Sequence, residues 1–427
     1  MSSEWRLTTL GKICVSQGGA IQTGPFGSQL HTSDYKIVGV PVVMPTNIGG
    51  DGGIAETGIA RIDQSDVDRL SQHKLQIADI VFSRRGDVTK NALIRSHEVG
   101  WLCGTGCLKV RLGNETIALA KFISYYLRQP DIKEWLVRHA VGATMPNLNT
   151  GILSAVPIFL PPIQIQQGIA EILGALDDRI SLLHETNTTL EAIAQTLFKS
   201  WFVDFDPVHA KQQGLEPEGM DAETAALFPD SFEESELGLV PRGWKSGILG
   251  EELKIAYGKN LPTSKLLESG YPVFGGNGRI GFIDKFIYET RQVLVACRGA
   301  ASGKINQSPP LSFVTNNSLI LESNESTLLP FGYLKGYMLR SDLIPFVTGS
   351  AQPQVTIDNL KNFKILVPST ETLSAFESFS CKIEDRIEEN TKQAQTLASI
   401  RDTLLPCLIS GQLRLPEAEA MIEGIGR

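Results

Sequence analysis

A long ungapped internal repeat is the feature that most constrains what this chain can fold into. Shifted by 207 positions, residues 142–204 align with residues 349–411, and the triplet Asp-Arg-Ile at 178–180 recurs at 385–387. A match of this length is improbable by chance, and self-similarity at a fixed offset is the signature of a repeated structural unit. The sequence therefore predicts a duplication.

The repeat continues more weakly upstream of these segments. "DIVFSRRGD" (79–87) is similar to "QVLVACRGA" (292–300), and "YYLR" (125–128) is similar to "YMLR" (337–340). The order is globular unit, helix, globular unit, helix. The two globular units are most similar to each other at their ends and differ most in between. This pattern indicates a common backbone framework with a different binding surface in each unit.

The repeated segments have a helical period. Apolar residues recur at alternating steps of three and four, which predicts an a/d seam in each segment. Polar residues at Asn187, Asn390 and Arg401 interrupt the seams, and such residues fix helix register at some cost in stability. Two long seams in one chain most simply pack on each other, although two amphipathic helices on separate cores would also fit. The predicted seam residues are Leu173, Leu176, Ile180, Leu183, Leu190 and Leu197 in the first helix, and Ile383, Ile387, Leu397 and Leu404 in the second.

These features divide the chain into six segments. The globular units alternate short apolar runs with Gly, Asn and Pro turns, which is typical of a β-rich α+β fold. The stretch between the two halves is acidic, punctuated by proline and without a sustained seam, so we predict a linker with a short helix around 221–227. The predicted segments are a first globular unit (1–160), a first spacer helix (161–205), the acidic linker (206–243), a second globular unit (244–368), a second spacer helix (369–411) and a C-terminal tail (412–427).

Charge and cysteine content narrow the class of protein. The formal net charge is −8, which argues against a general polyanion binder, so any nucleic-acid contact would need local basic surfaces. Six scattered cysteines are too few for a disulfide framework at this length and favour a reducing cytoplasm. The charge-poor stretch 140–170 contains four prolines, which do not suit a membrane span, and no secretory signal opens the sequence. We expect a cytoplasmic protein without a membrane segment.

The motifs that would indicate catalysis are incomplete. "GGNGRIG" contains glycines at 276, 278 and 281 in the spacing of a dinucleotide fingerprint, but "FIDKFIYE" follows and is strand-like where a helix is required. "GAASGK" (299–304) is one residue short of a P-loop. Cys103 and Cys107 have no second Cys or His pair at zinc-like spacing. We predict no catalytic residue, no metal site and no bound cofactor, and therefore a binding protein.

Each globular unit contains residues suited to DNA. Arg and Lys can bind guanine edges or phosphates, while Asn and Gln suit adenine. Each of these side chains could equally be an ordinary exposed polar residue, and Asn147 and Asn317 could be turn residues that bond to backbone. The predicted DNA-binding residues are Arg84, Arg85, Lys90, Arg95, Asn147 and Asn149 in the first unit, and Asn277, Arg279, Arg298, Lys304, Asn316, Asn317, Gln352 and Gln354 in the second.

Several motifs along the chain resemble those of a known family. A Trp near the start of each unit, the "GATMPNL" and "GSAQPQV" turns, the "PIFLPP" and "ILVPS" boundaries, the repeated Asp-Arg-Ile helices and the central "WFVDFDPVHAK" are similar to those of the specificity subunit of type I restriction-modification systems. The resemblance covers nearly the whole chain. It implies that segments 1–160 and 244–368 are target recognition domains, each reading one half of a bipartite DNA site.

The resemblance also implies an architecture and partners. The fold would be α+β, with two β-rich target recognition domains separated by two long helices packed as an antiparallel coiled coil, in a pseudo-twofold repeat. The helices, about 50 Å long, would act as a ruler for about 15 base pairs. The implied partners are double-stranded DNA, two modification (methyltransferase) subunits and restriction (endonuclease and translocase) subunits. S-adenosylmethionine, ATP and magnesium would belong to those subunits. A coiled-coil scaffold protein and a self-contained nucleotide-dependent enzyme are the alternatives.

Overall fold

The computed structural model divides the chain into two compact units. The first comprises residues 1–181 and 395–427, and the second comprises residues 182–394. The residues that the structure describes are 5–142, 144–323, 329–349 and 351–425.

The first unit is built on short strands with helices packed against them. Its largest sheet has the strand order β2-β9-β6-β7, a second has the order β3-β5-β4-β8, and β1 pairs antiparallel with β10. The elements are β1 (Arg6–Thr9), α1 (Leu10–Ser16), β2 (Gly18–Thr23), β3 (Tyr35–Lys36), β4 (Val40–Val43), β5 (Ala60–Ile62), α2 (Gln64–Arg69), β6 (Ile80–Ser83), β7 (Asn91–Leu93), β8 (Leu102–Cys103), β9 (Cys107–Gly113), α3 (Ala120–Tyr126), α4 (Pro130–His139), α5 (Thr150–Ala155), β10 (Pro157–Leu160) and the start of α6 (Ile163–Phe202).

The second unit continues α6 and repeats this plan. Its elements are α7 (Asp206–Gln212), α8 (Ala222–Ala226), β11 (Phe232–Ser235), β12 (Gly238–Pro241), β13 (Lys245–Ile248), α9 (Leu249–Glu252), β14 (Leu253–Tyr257), β15 (Tyr271–Gly275), β16 (Gly278–Ile283), β17 (Gln292–Ala296), β18 (Ile305–Ser308), β19 (Phe313–Val314), β20 (Ser318–Ser323), α10 (Phe331–Arg340), α11 (Ile357–Leu360), β21 (Lys364–Val367) and most of α12 (Thr370–Ile409). The end of α12 and helix α13 (Leu415–Ile425) belong to the first unit.

Strand order confirms the internal repeat. The four-stranded sheet β14-β20-β17-β18 of the second unit matches β2-β9-β6-β7 of the first, position for position. The pair β13–β21 matches β1–β10, and the parallel pair β15–β19 matches β4–β8. The predicted α+β class with two β-rich units is therefore confirmed.

Helices α6 and α12 pack antiparallel within each unit. In the first unit, Arg401 Nη1 lies 2.7 Å from Asp177 Oδ1. In the second, the rings of Phe198 and Phe376 pack edge to face with centroids 5.9 Å apart, and the Asn187 and Asn390 side chains are bonded. Residue numbers rise along one helix as they fall along the other, which confirms the antiparallel coiled coil and excludes separate cores for the two helices.

The predicted seam positions lie on the packed faces of these helices. Half of them are buried and the other half are partly buried, so none points fully to solvent. The buried seam residues are Leu173, Leu176, Leu183, Ile387 and Leu404, and the partly buried ones are Ile180, Leu190, Leu197, Ile383 and Leu397.

An amide pair interrupts the seam in the second unit. Asn390 Nδ2 donates to Asn187 Oδ1 at 2.8 Å, and Asn187 Nδ2 donates to the carbonyl of Ile387 and the hydroxyl of Thr391 at 3.2 and 3.1 Å. A slip of one helical turn would place these amides against apolar side chains. The pair therefore specifies the register of the two helices.

The segment predicted as an acidic linker is folded against the core of the second unit. It contains α7, α8 and the antiparallel hairpin β11–β12, and α8 falls within the short helix expected at 221–227. Val208, Phe228 and Val240 are buried in the same cluster as Phe198 of α6. Isolated apolar residues without a common period produce no seam signal in the sequence, yet each fills a place in this core.

The predicted C-terminal tail also contributes to a core. Helix α13 places Ala418 in the buried cluster of the first unit, together with Leu408 and Ile409 from the end of α12. Within the described residues, no helix combines the length and the apolar character that a membrane span requires.

Candidate nucleic-acid interface

The predicted DNA-binding residues of the second unit collect around the carboxyl end of strand β17. All five residues of this strand are buried, and Arg298 is the first exposed residue after it. Gly299 follows with φ +75°, a left-handed conformation that favours glycine and turns the chain sharply. The backbone of Arg298 forms an antiparallel bridge with Gln354. Strand end, glycine turn and bridge together fix where the Arg298 backbone emerges.

Three loops meet at this strand end. The amide of Cys297 donates to the carbonyl of Asn317 at 2.9 Å, and the amide of Ala296 donates to the carbonyl of Lys304 at 2.9 Å. Lys304 Nζ in turn donates to Asn277 Oδ1 at 2.9 Å. The structure thus brings Arg298, Lys304, Asn277, Asn317 and its neighbour Asn316 to one edge of the sheet.

Two other predicted residues of this unit extend the same surface. Arg279 is exposed on β16, two residues beyond Asn277, and its guanidinium carbon lies 5.1 Å from the centroid of the Phe282 ring. Gln352 is exposed in a turn, two residues before Gln354, which bridges Arg298.

The first unit has the corresponding arrangement at the end of strand β6. Arg84 and Arg85 follow the strand directly, and the backbone of Arg85 forms an antiparallel bridge with Asn147. Arg84 Nε donates to Asn147 Oδ1 at 3.3 Å. The amide of Ser83 donates to the carbonyl of Lys90 at 3.0 Å, which holds Lys90 beside the same strand end.

Two predicted residues of the first unit do not join this group as expected. Strands β6 and β7 are antiparallel, with Ile80 opposite Leu93, so Arg95 lies at the far end of the strand pair from Arg85. The Asn149 side chain is the N-cap of α5 and accepts a hydrogen bond from the amide of Ile152 at 2.8 Å. Asn149 therefore has a structural role in this fold, and Arg95 belongs to another surface.

Arg85 and Arg298 occupy equivalent positions in the two units. Each lies two residues beyond the end of the strand that is third in its four-stranded sheet, and each precedes a left-handed glycine, with φ +78° at Gly86 and +75° at Gly299. Each also bridges the hairpin residue that corresponds under the repeat, Asn147 or Gln354. The duplicated frame therefore presents one arginine per unit in the same local setting.

The chemistry of this edge favours binding. Burial raises the pKa of the Cys297 thiol, an effect that the nearby Arg298 guanidinium partly offsets, and its Sγ lies 3.5 Å from the carbonyl oxygen of Asn316. The thiol is thus held protonated, whereas a nucleophilic cysteine needs a lowered pKa. Exposed guanidinium, ammonium and amide groups remain, and these are the groups that bind phosphates and base edges.

Cys103 and Cys107 behave as buried thiols. Burial raises the pKa of Cys103 to about 12 and that of Cys107 well above its usual value. Cys107 Sγ also donates to the carbonyl of Val43 at 3.3 Å. Across the described ranges, no group of three or more His, Cys, Asp and Glu side chains has the geometry to hold a metal ion.

The two glycine-rich segments do not have the structure of nucleotide-binding loops. Gly276 lies in the two-residue connection between β15 and β16, Gly278 is the first residue of β16, and Gly281 lies inside that strand. A strand thus follows where a dinucleotide site needs a helix. The P-loop-like segment begins with a single 3₁₀ turn, Gly299–Ala301, and leads into strand β18.

One residue of this surface was missed by sequence reasoning. Met145 is 61% exposed in the turn that precedes Asn147. An apolar side chain gives no signal when basic and amide residues are sought. The one signal in the sequence was its correspondence to Gln352 under the 207-residue repeat.

Comparison with known proteins assigns this architecture to a class. The model of the type I restriction modification DNA specificity domain matches residues 2–192 and 241–393, which is most of the chain. The chain therefore belongs to this family, and the expected resemblance is confirmed.

Individual relatives agree with this assignment. The chain is 26% identical over 329 residues to the type I restriction enzyme MjaIX specificity subunit of Methanocaldococcus jannaschii, covering 70% of each protein. It is 27% identical over 366 residues to the HindI specificity subunit of Haemophilus influenzae, covering 70% of this chain and 79% of that protein. The crystal structure of a type I S subunit from M. genitalium has the same fold, with a TM-score of 0.55, 19% identity and coverage of 95% and 96%.

Proposed function

We propose that this chain is the DNA-reading subunit of a type I restriction-modification complex, in which each unit reads one half of a bipartite site. The observation that carries the proposal is the duplicated strand end, where Arg85 and Arg298 occupy equivalent settings and each bridges an amide residue, Asn147 or Gln354. Different side chains surround the two arginines. Two non-identical half-sites are the natural target of such a pair.

The charge distribution supports a local contact with DNA. With a net charge of −8, the chain does not attract polyanions as a whole. Arg298 and Lys304 nevertheless lie together on one exposed edge, as do Arg84 and Arg85 in the first unit. An arginine can bond bidentately to a guanine edge, and lysine suits a phosphate.

Catalysis is assigned to partner subunits in this proposal. The chain would assemble with two modification subunits and with restriction subunits in the cytoplasm, where its DNA target lies. S-adenosylmethionine, ATP and magnesium would be bound by those subunits. The names of the relatives as specificity subunits and the protonated cysteine at the interface both support a binding role.

The helices are proposed to set the distance between the two half-sites. Helices α6 and α12 have 40 residues each, and at 1.5 Å per residue each is about 60 Å long, which is longer than the length of about 50 Å expected from the sequence. The Asn187–Asn390 pair fixes their register, so this length is defined rather than variable.

The proposal is tested by sequencing the methylome of cells that carry this chain with its modification subunits. A two-part modified motif with an unread gap is expected, and it should vanish when this chain is removed. A single continuous motif, or methylation that persists without the chain, would contradict the proposal. If unrelated DNA competes for the purified complex as well as DNA that contains the motif, the coiled-coil scaffold becomes the better explanation.

Lengthening both helices should change the gap. Seven residues inserted after Ser181 and seven after Ala394 keep the heptad phase and fall at the boundary between the two units. The added length is about 10 Å, so the gap should widen by about three base pairs. Methylome sequencing gives the gap directly.

The control is a single insertion, in α6 alone, which shifts one seam against the other and should prevent assembly of an active complex. An unchanged gap in an active double-insertion variant would disprove the proposal that the helices set the spacing.

A further inference from the structure

We infer that Met145 and Gln352 are specificity-determining residues, one for each half-site. The inference rests on the proposed function, because it names the side chains that would read bases within those sites. The two residues correspond under the 207-residue repeat.

The backbone frames that carry the two residues are alike. Each turn begins at a left-handed glycine, with φ +110° at Gly142 and +88° at Gly349. A Cβ added at Gly142 would lie 2.6 Å from the carbonyl oxygen of Met145, and one added at Gly349 would lie 2.5 Å from that of Gln352. Only glycine fits at either place, because any side chain would clash with the carbonyl of Met145 or Gln352.

The turns are also tied to the strand ends in the same way. Val141 bridges Asn147 in the first unit, and Thr348 bridges Gln354 in the second, which closes each turn as a small hairpin. The amides of Thr348 and Gln354 each donate to the carbonyl of the other residue at 2.8 Å, and the corresponding bonds of Val141 and Asn147 are 3.0 and 2.9 Å. These frames are too alike to distinguish one DNA sequence from another.

The side chains at the two equivalent turn positions differ in chemistry. Met145 is 61% exposed and apolar, and such a side chain can contact a thymine methyl group or wedge between base steps. Gln352 is exposed and polar, and it can bond bidentately to adenine. The same place in the frame thus offers two different base preferences.

The position relative to the arginines fits a neighbouring base pair. Met145 is two residues from Asn147, which bridges Arg85, and Gln352 is two residues from Gln354, which bridges Arg298. Two residues span at most about 7 Å even when fully extended, so in these turns they lie within about two base-pair steps of each other. Each turn can therefore read a base close to the one that its arginine contacts.

The test exchanges the two side chains in the assembled complex. Met145→Gln should alter the preferred base at one position of one half-site, with at least a tenfold loss of methylation at the original motif. Gln352→Met should do the same in the other half-site. Val137→Gln, which makes a comparable change at an exposed apolar residue of α4 outside the candidate interface, is the matched control and should retain the original motif. Binding to a panel of duplexes, each with one base pair changed, provides a second measurement.

The outcomes separate this inference from the proposed function. If the exchanged variants assemble and modify the original motif as efficiently as the parent, the inference is overturned while the proposed function stands. If binding weakens equally on every duplex, the residues position the DNA without reading it, and the inference is again overturned. If the parent complex itself shows no bipartite motif, the proposed function fails.

Discussion

Replacing Arg298 by alanine is expected to weaken binding of the assembled complex to its DNA site by about 1–3 kcal/mol, roughly 5- to 150-fold. Arg298 is exposed at the end of β17 and is the arginine that the second unit presents beside Lys304 and Gln354. Arg85→Ala should cause a loss of similar size through the first unit. Fluorescence anisotropy with a labelled duplex, repeated at several salt concentrations, measures both.

Two further variants make this measurement specific. Arg138 is exposed on α4 and pairs with Glu134 of the same helix, so Arg138→Ala should bind DNA normally. Arg298→Lys keeps the charge but loses the bidentate fork, so it should recover phosphate binding without guanine recognition. An Arg298→Ala complex that binds as tightly as the parent at every salt concentration would show that this arginine does not contact DNA.

Removing Arg401 is expected to lower the free energy of unfolding of the chain by about 3 kcal/mol, the low end for breaking a buried ion pair, because the buried Asp177 carboxylate is left with its longer ion pair to Arg128, 3.7 Å away. Only 11% of the Arg401 side chain and 16% of the Asp177 side chain are exposed, and their atoms lie 2.7 Å apart. Tyr125 also donates to Asp177 at 2.7 Å, so the carboxylate is held within a buried network. Urea unfolding of the full chain carrying Arg401→Ala measures the loss.

The control for this variant lies on the same helix. Arg386 pairs with Glu389 three residues later, and both side chains are more than half exposed. Surface pairs of this kind contribute about 0–1 kcal/mol, so Arg386→Ala should have little effect. Equal losses of unfolding free energy in the two variants would mean that the buried Arg401–Asp177 pair stabilises the chain no more than a surface pair.

The helical part of the fold was predictable because its signal is periodic and local. Seam residues such as Leu183 and Leu397 were identified from spacing alone, and Asn187 and Asn390 stood out as polar breaks that the structure pairs. The packing of residues 206–243 was not predictable. Val208, Phe228 and Val240 share no period, and only the assembled core shows that each fills a place in it.

The weak similarity between "YYLR" (125–128) and "YMLR" (337–340) gave an alignment that was wrong by one residue. The sequence aligns Tyr125 with Tyr337, but the structure matches Tyr126 with Tyr337. The Tyr126 hydroxyl accepts a hydrogen bond from the amide of Phe159, and the Tyr337 hydroxyl accepts one from the amide of Leu366. Phe159 and Leu366 are equivalent under the 207-residue repeat, so this bond identifies the true pair.

The candidate interface was predictable where loops follow a strand shared by both halves. The "SRRGD" and "CRGA" segments led to Arg85 and Arg298 because each follows an apolar run. Arg95 was grouped with them by proximity in sequence, and only the antiparallel pairing of β6 with β7 shows that it lies at the opposite end. Strand pairing is a long-range property that the sequence pattern does not encode.

The first unit is assembled from both ends of the chain, and this has a consequence for the order of folding during synthesis. Leu404, Leu408 and Ala418, which the ribosome adds only after the whole second unit, are buried in the core of the first unit. The second unit is one uninterrupted stretch, 182–394, and has all its residues while the first still waits for its closing helix. The unit that is begun first is thus completed second, and a nascent chain stopped before residue 395 would contain a complete second unit and an incomplete first unit.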